Sequence, residues 1–160
     1  MSVKLHLVLK CAVIAALYAA LTFVVPWSSG LMQIRLSEAL CVLPFLLPDA
    51  AYGLFIGCAL GNLLSGGIAV DVVFGSLATL AAGLLTALIA KLKLSHWFAP
   101  LPAVVLNALV VGAVLCYGYE VGAPYWTCAL YVGAGQLIAC YALGMPLLFA
   151  LRRLPEGLVR

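Results

Sequence analysis

Few side chains in this protein can do polar chemistry, and they are unevenly placed. The stretch Gln33 to Pro48, QIRLSEALCVLPFLLP, sets a guanidinium at Arg35 three residues ahead of a carboxylate at Glu38. An apolar run broken by Pro44 and Pro48 follows at once. Asn62, Asp71 and Glu120 come later, with aromatic rings at Phe74, Tyr117, Tyr125 and Trp126. Carboxylates accept hydrogen bonds, a guanidinium donates them in a rigid fork, and amides do both. With aromatic side chains beside them, that inventory suits a small-molecule pocket.

Each residue also has a plainer reading. Arg35 and Glu38 could pair as a local salt bridge at a helix end. Asp71 could cap a helix, and Glu120 could be a solvated loop residue. As a set they favour a site, because four segments bring hydrogen-bonding groups to one level. The expected substrate-binding residues are Gln33, Arg35, Glu38, Asn62, Asp71, Glu120, Tyr125 and Trp126. Asn107 and Gln136, isolated amides in late apolar runs, read as interhelical hydrogen-bond partners.

Catalysis is the weaker reading. Glu38 and Asp71 could form a carboxylate dyad, but no nucleophile or metal motif accompanies them: HExxH and GxSxG are both missing. No catalytic residue, metal or bound cofactor is expected. There is no GxxxxGK[ST] loop, so the chain does not itself bind ATP in that manner. The six cysteines show no CxxC spacing and mostly sit in apolar runs, where thiols pack as small hydrophobes. Cys116 and Cys128 flank a loop and could pair, but free thiols are the preferred reading.

The elements that must carry these residues are membrane helices. Of 160 residues, 67% are hydrophobic and 8% charged, against roughly 25% charged in a soluble domain. Such a chain cannot cover a water-facing surface, so we read one compact all-α integral membrane domain over residues 1–160. A net charge of +3 is too small to suggest a nucleic-acid partner. The first span is Leu5 to Val25, read as a helix rather than a cleaved signal. Ser37 is expected to cap a short helix reaching about Leu47, and Asp49 to cap the next, Ala50 to about Leu64. Asp71 to Leu92, Ala103 to Tyr117 and Tyr125 to Leu151 complete six helices. Lysines and arginines at Lys4, Lys10, Lys91, Lys93, Arg152 and Arg153 place both termini in the cytoplasm by the positive-inside rule. Arg35, Glu38, Asp71 and Glu120 then lie at the outer face.

Two stripes of small residues stand out. Gly53, Gly57 and Gly61 read as internal packing. Ala12, Ala16 and Ala20 on the first helix let another helix approach closely, either within this bundle or as a docking face for a separate membrane subunit.

Finally, QIRLSEAL, LPFLLP from Leu43, GLFIGCALGN from Gly53 to Asn62 and DVVFGSLATL from Asp71 to Leu80 form an ordered series that resembles the QueT family. From about Ser95 onward the likeness rests on hydropathy and length alone. The resemblance implies a substrate-binding S component of an energy-coupling factor transporter in the plasma membrane. It implies a membrane scaffold subunit and two cytoplasmic ATPase subunits, which use the ATP, as partners. The implied cargo is a 7-deazaguanine queuosine precursor, queuine or its aminomethyl precursor. On that footing Glu38 or Asp71 would take the base edge, and the other carboxylate, or Glu120, the amine. Arg35, Gln33 and Asn62 would serve O6 or hold the carboxylates, and Tyr125 and Trp126 would stack. The alternatives are a self-sufficient proton-coupled transporter, an S component for another vitamin or nucleobase, and an intramembrane enzyme or structural partner protein.

Overall fold

The structure is a computed structural model that describes residues 3–24 and 35–154; Gln33 and the predicted turn after the first helix lie outside them. Among the described residues every regular element is a helix, with no strand. Helix α1 (Val3–Val24) leads to a 3-10 helix (Leu36–Phe45), then α2 (Ala50–Leu64) and α3 (Ala69–Lys91). Helix α4 (Leu101–Ala113) continues as a π-helical turn, Val114–Gly118. Helix α5 (Tyr125–Leu137), a π segment (Ile138–Gly144) and α6 (Met145–Arg152) form one uninterrupted helical stretch.

Four helices among the described residues are long and apolar enough to cross a membrane: Leu5–Phe23, Ala69–Lys91, His96–Gly118 and Tyr125–Arg152. The 3-10 helix and α2 are shorter. Large apolar side chains such as Leu130, Phe23 and Val8 are exposed on the outer surface, the reverse of a water-soluble protein and the expected state against lipid tails.

The packing runs α1 on α2, α2 on α3, α3 on α4 and α4 on α5. The 3-10 helix lies inside this series, against α1, α2, α3, α6 and the π segment Ile138–Gly144. Seven of its ten residues are buried, Ser37 to Ala39 and Cys41 to Pro44, so it is a core element despite its length. A 3-10 run rarely exceeds three or four residues. Here Pro44 supplies no N–H, and tertiary contacts on every side hold the tighter winding. Gly144 admits it closely, since a Cβ there would lie 3.0 Å from Val42 Cγ1 and 3.1 Å from the Ala39 carbonyl oxygen.

Glycine also sets the α1–α2 distance. Cβ atoms at Gly53, Gly57 and Gly61 would come within 2.9 Å of the Cys11 oxygen, 2.7 Å of Tyr18 Cβ and 3.1 Å of Thr22 Cβ. The glycine stripe is therefore internal packing. Its counterpart on α1 is Ala15 and Ala19, both buried, whereas Ala12, Ala16 and Ala20 face outward.

Two local expectations are corrected. Ser37 is not a cap: Arg35 holds that position in extended backbone, and Ser37 Oγ instead accepts a hydrogen bond from Thr22 Oγ1 at 2.8 Å. Asp49 does stand at the N-cap of α2, but its side chain makes no capping bond. All six cysteines are free, and the Cys116 and Cys128 thiols both donate to the Ala123 carbonyl.

Candidate substrate site

Helical spacing brings polar groups to one place from five elements. On α3, Asp71, Gly75 and Thr79 follow at four-residue intervals and share a buried face. The start of the 3-10 helix contributes Arg35 and Glu38, α2 contributes Cys58 and Asn62, and α4 and α5 contribute Asn107, Val111, Val132 and Gln136. These residues line one cavity. Its volume is about 10 Å³, room for roughly one water molecule. A bicyclic ring enters only if the walls separate.

Glu38 is the most heavily engaged member. Tyr18 on α1 donates its hydroxyl to Oε1, and Oε2 accepts from the Cys41 thiol at 3.0 Å and from Asn107 Nδ2 at 3.2 Å. Three of the roughly four lone-pair positions of a carboxylate are filled. Arg35 turns to Asn62 rather than to Glu38: Nη1 donates to Asn62 Oδ1 at 2.6 Å. Asn62 spends its amide N–H groups on the Asp71 carbonyl at 3.3 Å and the Cys58 sulfur at 3.8 Å. Asn62 is thus a strut between α2, α3 and Arg35.

Asp71 is 4% exposed. Its Oδ2 accepts from Tyr119 at 3.0 Å, and the same phenol oxygen accepts the Ile68 N–H. Burial pushes the Tyr119 hydroxyl above its ordinary range, so it remains a donor. The other oxygen, Oδ1, has no protein partner; neither do Arg35 Nε and Asn107 Oδ1. All three atoms are buried, and a buried polar group without a partner costs about 1–3 kcal/mol. One donor and two acceptors therefore stand ready around a single cavity. Gly75 keeps the space beside Asp71 open, since a Cβ there would lie 3.1 Å from Oδ1.

The described part of the predicted site divides cleanly. Arg35, Glu38, Asn62 and Asp71 come together. Glu120, Tyr125 and Trp126 do not. Glu120 is exposed in the loop before α5, in left-handed backbone at φ 49°. Tyr125 stacks on Tyr117 with ring centroids 6.3 Å apart and touches Trp126, itself 69% exposed. That exposed aromatic group fits the bilayer interface, where amphipathic rings collect. The cavity wall is formed instead by Val111, Val132, Cys58 and Thr79. Asn107 and Gln136, read as interhelical partners, line the cavity as well. Their signal was their isolation in apolar runs, which also fits simple helix pairing. Tyr18 and Tyr119 gave no sequence signal at all.

No curated protein and no solved structure matches the chain. The model of the QueT transporter family matches residues 8–153, nearly its whole length. Four membrane-length apolar helices and a polar cavity among the described residues fit such a protein. This chain therefore belongs to the QueT transporter family, as a multi-pass plasma-membrane transporter rather than an enzyme.

Proposed function

We propose that the chain is the substrate-binding S component of an energy-coupling factor importer, and that its cavity takes a 7-deazaguanine queuosine precursor. The observation that carries this reading is the buried, unpartnered pair Arg35 Nε and Asp71 Oδ1. A guanine-like edge presents N–H donors beside an acceptor oxygen. Asp71 accepts from the ring N–H, and Arg35 donates to O6. The cavity wall holds one guanidinium, Arg35, and two carboxylates, Glu38 and Asp71, so the site has a formal charge of −1. An uncompensated charge away from water favours a cationic ligand. The aminomethyl precursor supplies that charge, and the last lone-pair position on Glu38 receives it.

ATP would act on partner subunits, consistent with a chain that has no phosphate-binding loop. The partners are a membrane scaffold subunit and two cytoplasmic ATPase subunits, and the exposed Ala12, Ala16 and Ala20 offer the scaffold a smooth face. In this arrangement the chain crosses the membrane six times, with its termini inside and the cavity near the outer face.

Calorimetry on the purified protein with 7-aminomethyl-7-deazaguanine tests the substrate. Saturable binding of one molecule per chain is expected, weaker for a neutral analogue with the amine removed. Absence of binding removes the substrate. Separately, uptake that persists without the ATPase subunits but collapses with a proton uncoupler would replace the importer reading by a proton-coupled one.

A further inference from the structure

Asn107 carries more information than its place in the wall. It is 2% exposed, and its two amide ends face different chemistry. Nδ2 donates to Glu38 Oε2 at 3.2 Å, whereas Oδ1 has no partner. An asparagine can normally exchange its ends by rotation, so its orientation is set by its neighbours. Here the neighbour leaves no choice. Glu38 is held from three sides, by Tyr18 on Oε1 and by Cys41 and Asn107 on Oε2. A carboxylate so held offers acceptors alone. Rotating Asn107 would set its oxygen against Glu38 Oε2, two acceptors in contact with no proton between them. The amide oxygen must therefore remain on the side away from Glu38.

We infer that Asn107 determines selectivity at this site: its oxygen, locked in place by Glu38, requires an N–H donor on the ligand and so selects a ring with an exocyclic amino group over the same ring without one. The inference rests on reading the cavity as the substrate site. Asp71 Oδ1 takes one donor of the edge and Asn107 Oδ1 the next, with Arg35 Nε answering the acceptor. A water molecule can satisfy Asn107 before the ring arrives, and the entering ring displaces it. A ring lacking the amino group strips that water and returns nothing. Sites built to hydrogen-bond a polar group reject analogues lacking it far more strongly than apolar pockets reject a missing methylene. Glu38 is then a positioning residue for this selection, acting through the Asn107 amide.

The test uses the full chain and two ligands, 7-aminomethyl-7-deazaguanine and the same molecule without its 2-amino group, compared by calorimetry. Wild-type protein is expected to prefer the amino-bearing ligand by at least about tenfold, the value of one unmet buried hydrogen bond. Asn107→Leu keeps a similar volume and removes the acceptor, so the ratio should fall to about twofold or less, given the loss of that one bond. Glu38→Gln retains Asn107 but can present either an oxygen or an N–H to it, which frees the amide to rotate. The ratio should shrink in that variant too, and combining the two substitutions should reduce it no further. A merely structural Glu38 would lower affinity for both ligands and leave the ratio unchanged. If wild-type protein binds both ligands equally, or Asn107→Leu keeps the preference, the assignment to Asn107 is overturned while the cavity remains the substrate site. If wild-type protein binds neither, the substrate reading itself is overturned. Should Asn107→Leu fail to fold, the wild-type ratio and Glu38→Gln still decide.

Discussion

At the scale of single residues, the site separates side chains that contact a ligand from those that aim them. Asp71, a residue of the cavity wall, has one oxygen on Tyr119 and one buried without a partner, so Asp71→Asn should weaken binding of the aminomethyl base by about 1.5–3 kcal/mol, the worth of a charge-assisted hydrogen bond. Unchanged affinity by calorimetry would exclude Asp71 from the base edge. Gly75 is tested by the opposite move. A methyl group there arrives 3.1 Å from both Asp71 Oδ1 and Asn62 Nδ2. Gly75→Ala should cost about 1–3 kcal/mol of binding by crowding the site, while the melting temperature in detergent changes little. A variant that binds normally would show that the ring does not approach this turn of α3. The residues Arg35, Glu38, Asn62 and Asp71 were legible in the sequence because charge and amides are scarce there. The division of labour among them was not, since it depends on which atom of each is already bonded.

At the scale of elements, close helix approach holds the site together. Tyr18 and Thr22 reach Glu38 and Ser37 because α1 packs on the 3-10 helix as well as on α2. Gly57 makes that possible, with a hypothetical Cβ 2.7 Å from Tyr18 Cβ and 2.8 Å from the Ala15 carbonyl oxygen. Backbone cannot swing aside, so Gly57→Ala should destabilise the protein by about 1–3 kcal/mol. Gly133 is the control, because a Cβ there meets a single atom, Ala108 Cβ, at 3.3 Å. Gly133→Ala should melt closer to wild type, and equal melting temperatures for the two variants would contradict this account of α1–α2 packing. Helix extents were readable from hydropathy: Ala50–Leu64 falls where the pattern put it. The 3-10 winding of Leu36–Phe45 was not readable, because contacts with α1, α2, α3, α6 and the π segment select it rather than local propensity.

At the scale of the whole molecule, α1 has two faces with different duties. Ala15, Tyr18, Ala19 and Thr22 point into the protein, while Ala12, Ala16 and Ala20 point out of it. If the outer stripe receives a scaffold subunit, Ala16→Trp should abolish uptake in cells while the purified variant binds ligand with wild-type affinity. Normal uptake would remove the stripe from the partner interface, and loss of both activities would contradict the outward placement of Ala16.

Composition and hydropathy were sufficient to establish a membrane protein, the extent of its helices and the few side chains worth suspecting. These properties follow from how each segment partitions between water and lipid, which is a property of the segment alone. Whether Glu120, Tyr125 and Trp126 joined Arg35 and Asp71 depended on how the helices turn about one another. Trp126 faces outward, and Asn107, 36 positions after Asp71, faces the same cavity as that carboxylate. Hydrogen-bond pairing at a buried site is settled by distance in space, and no reading along one strand of residues contains that distance.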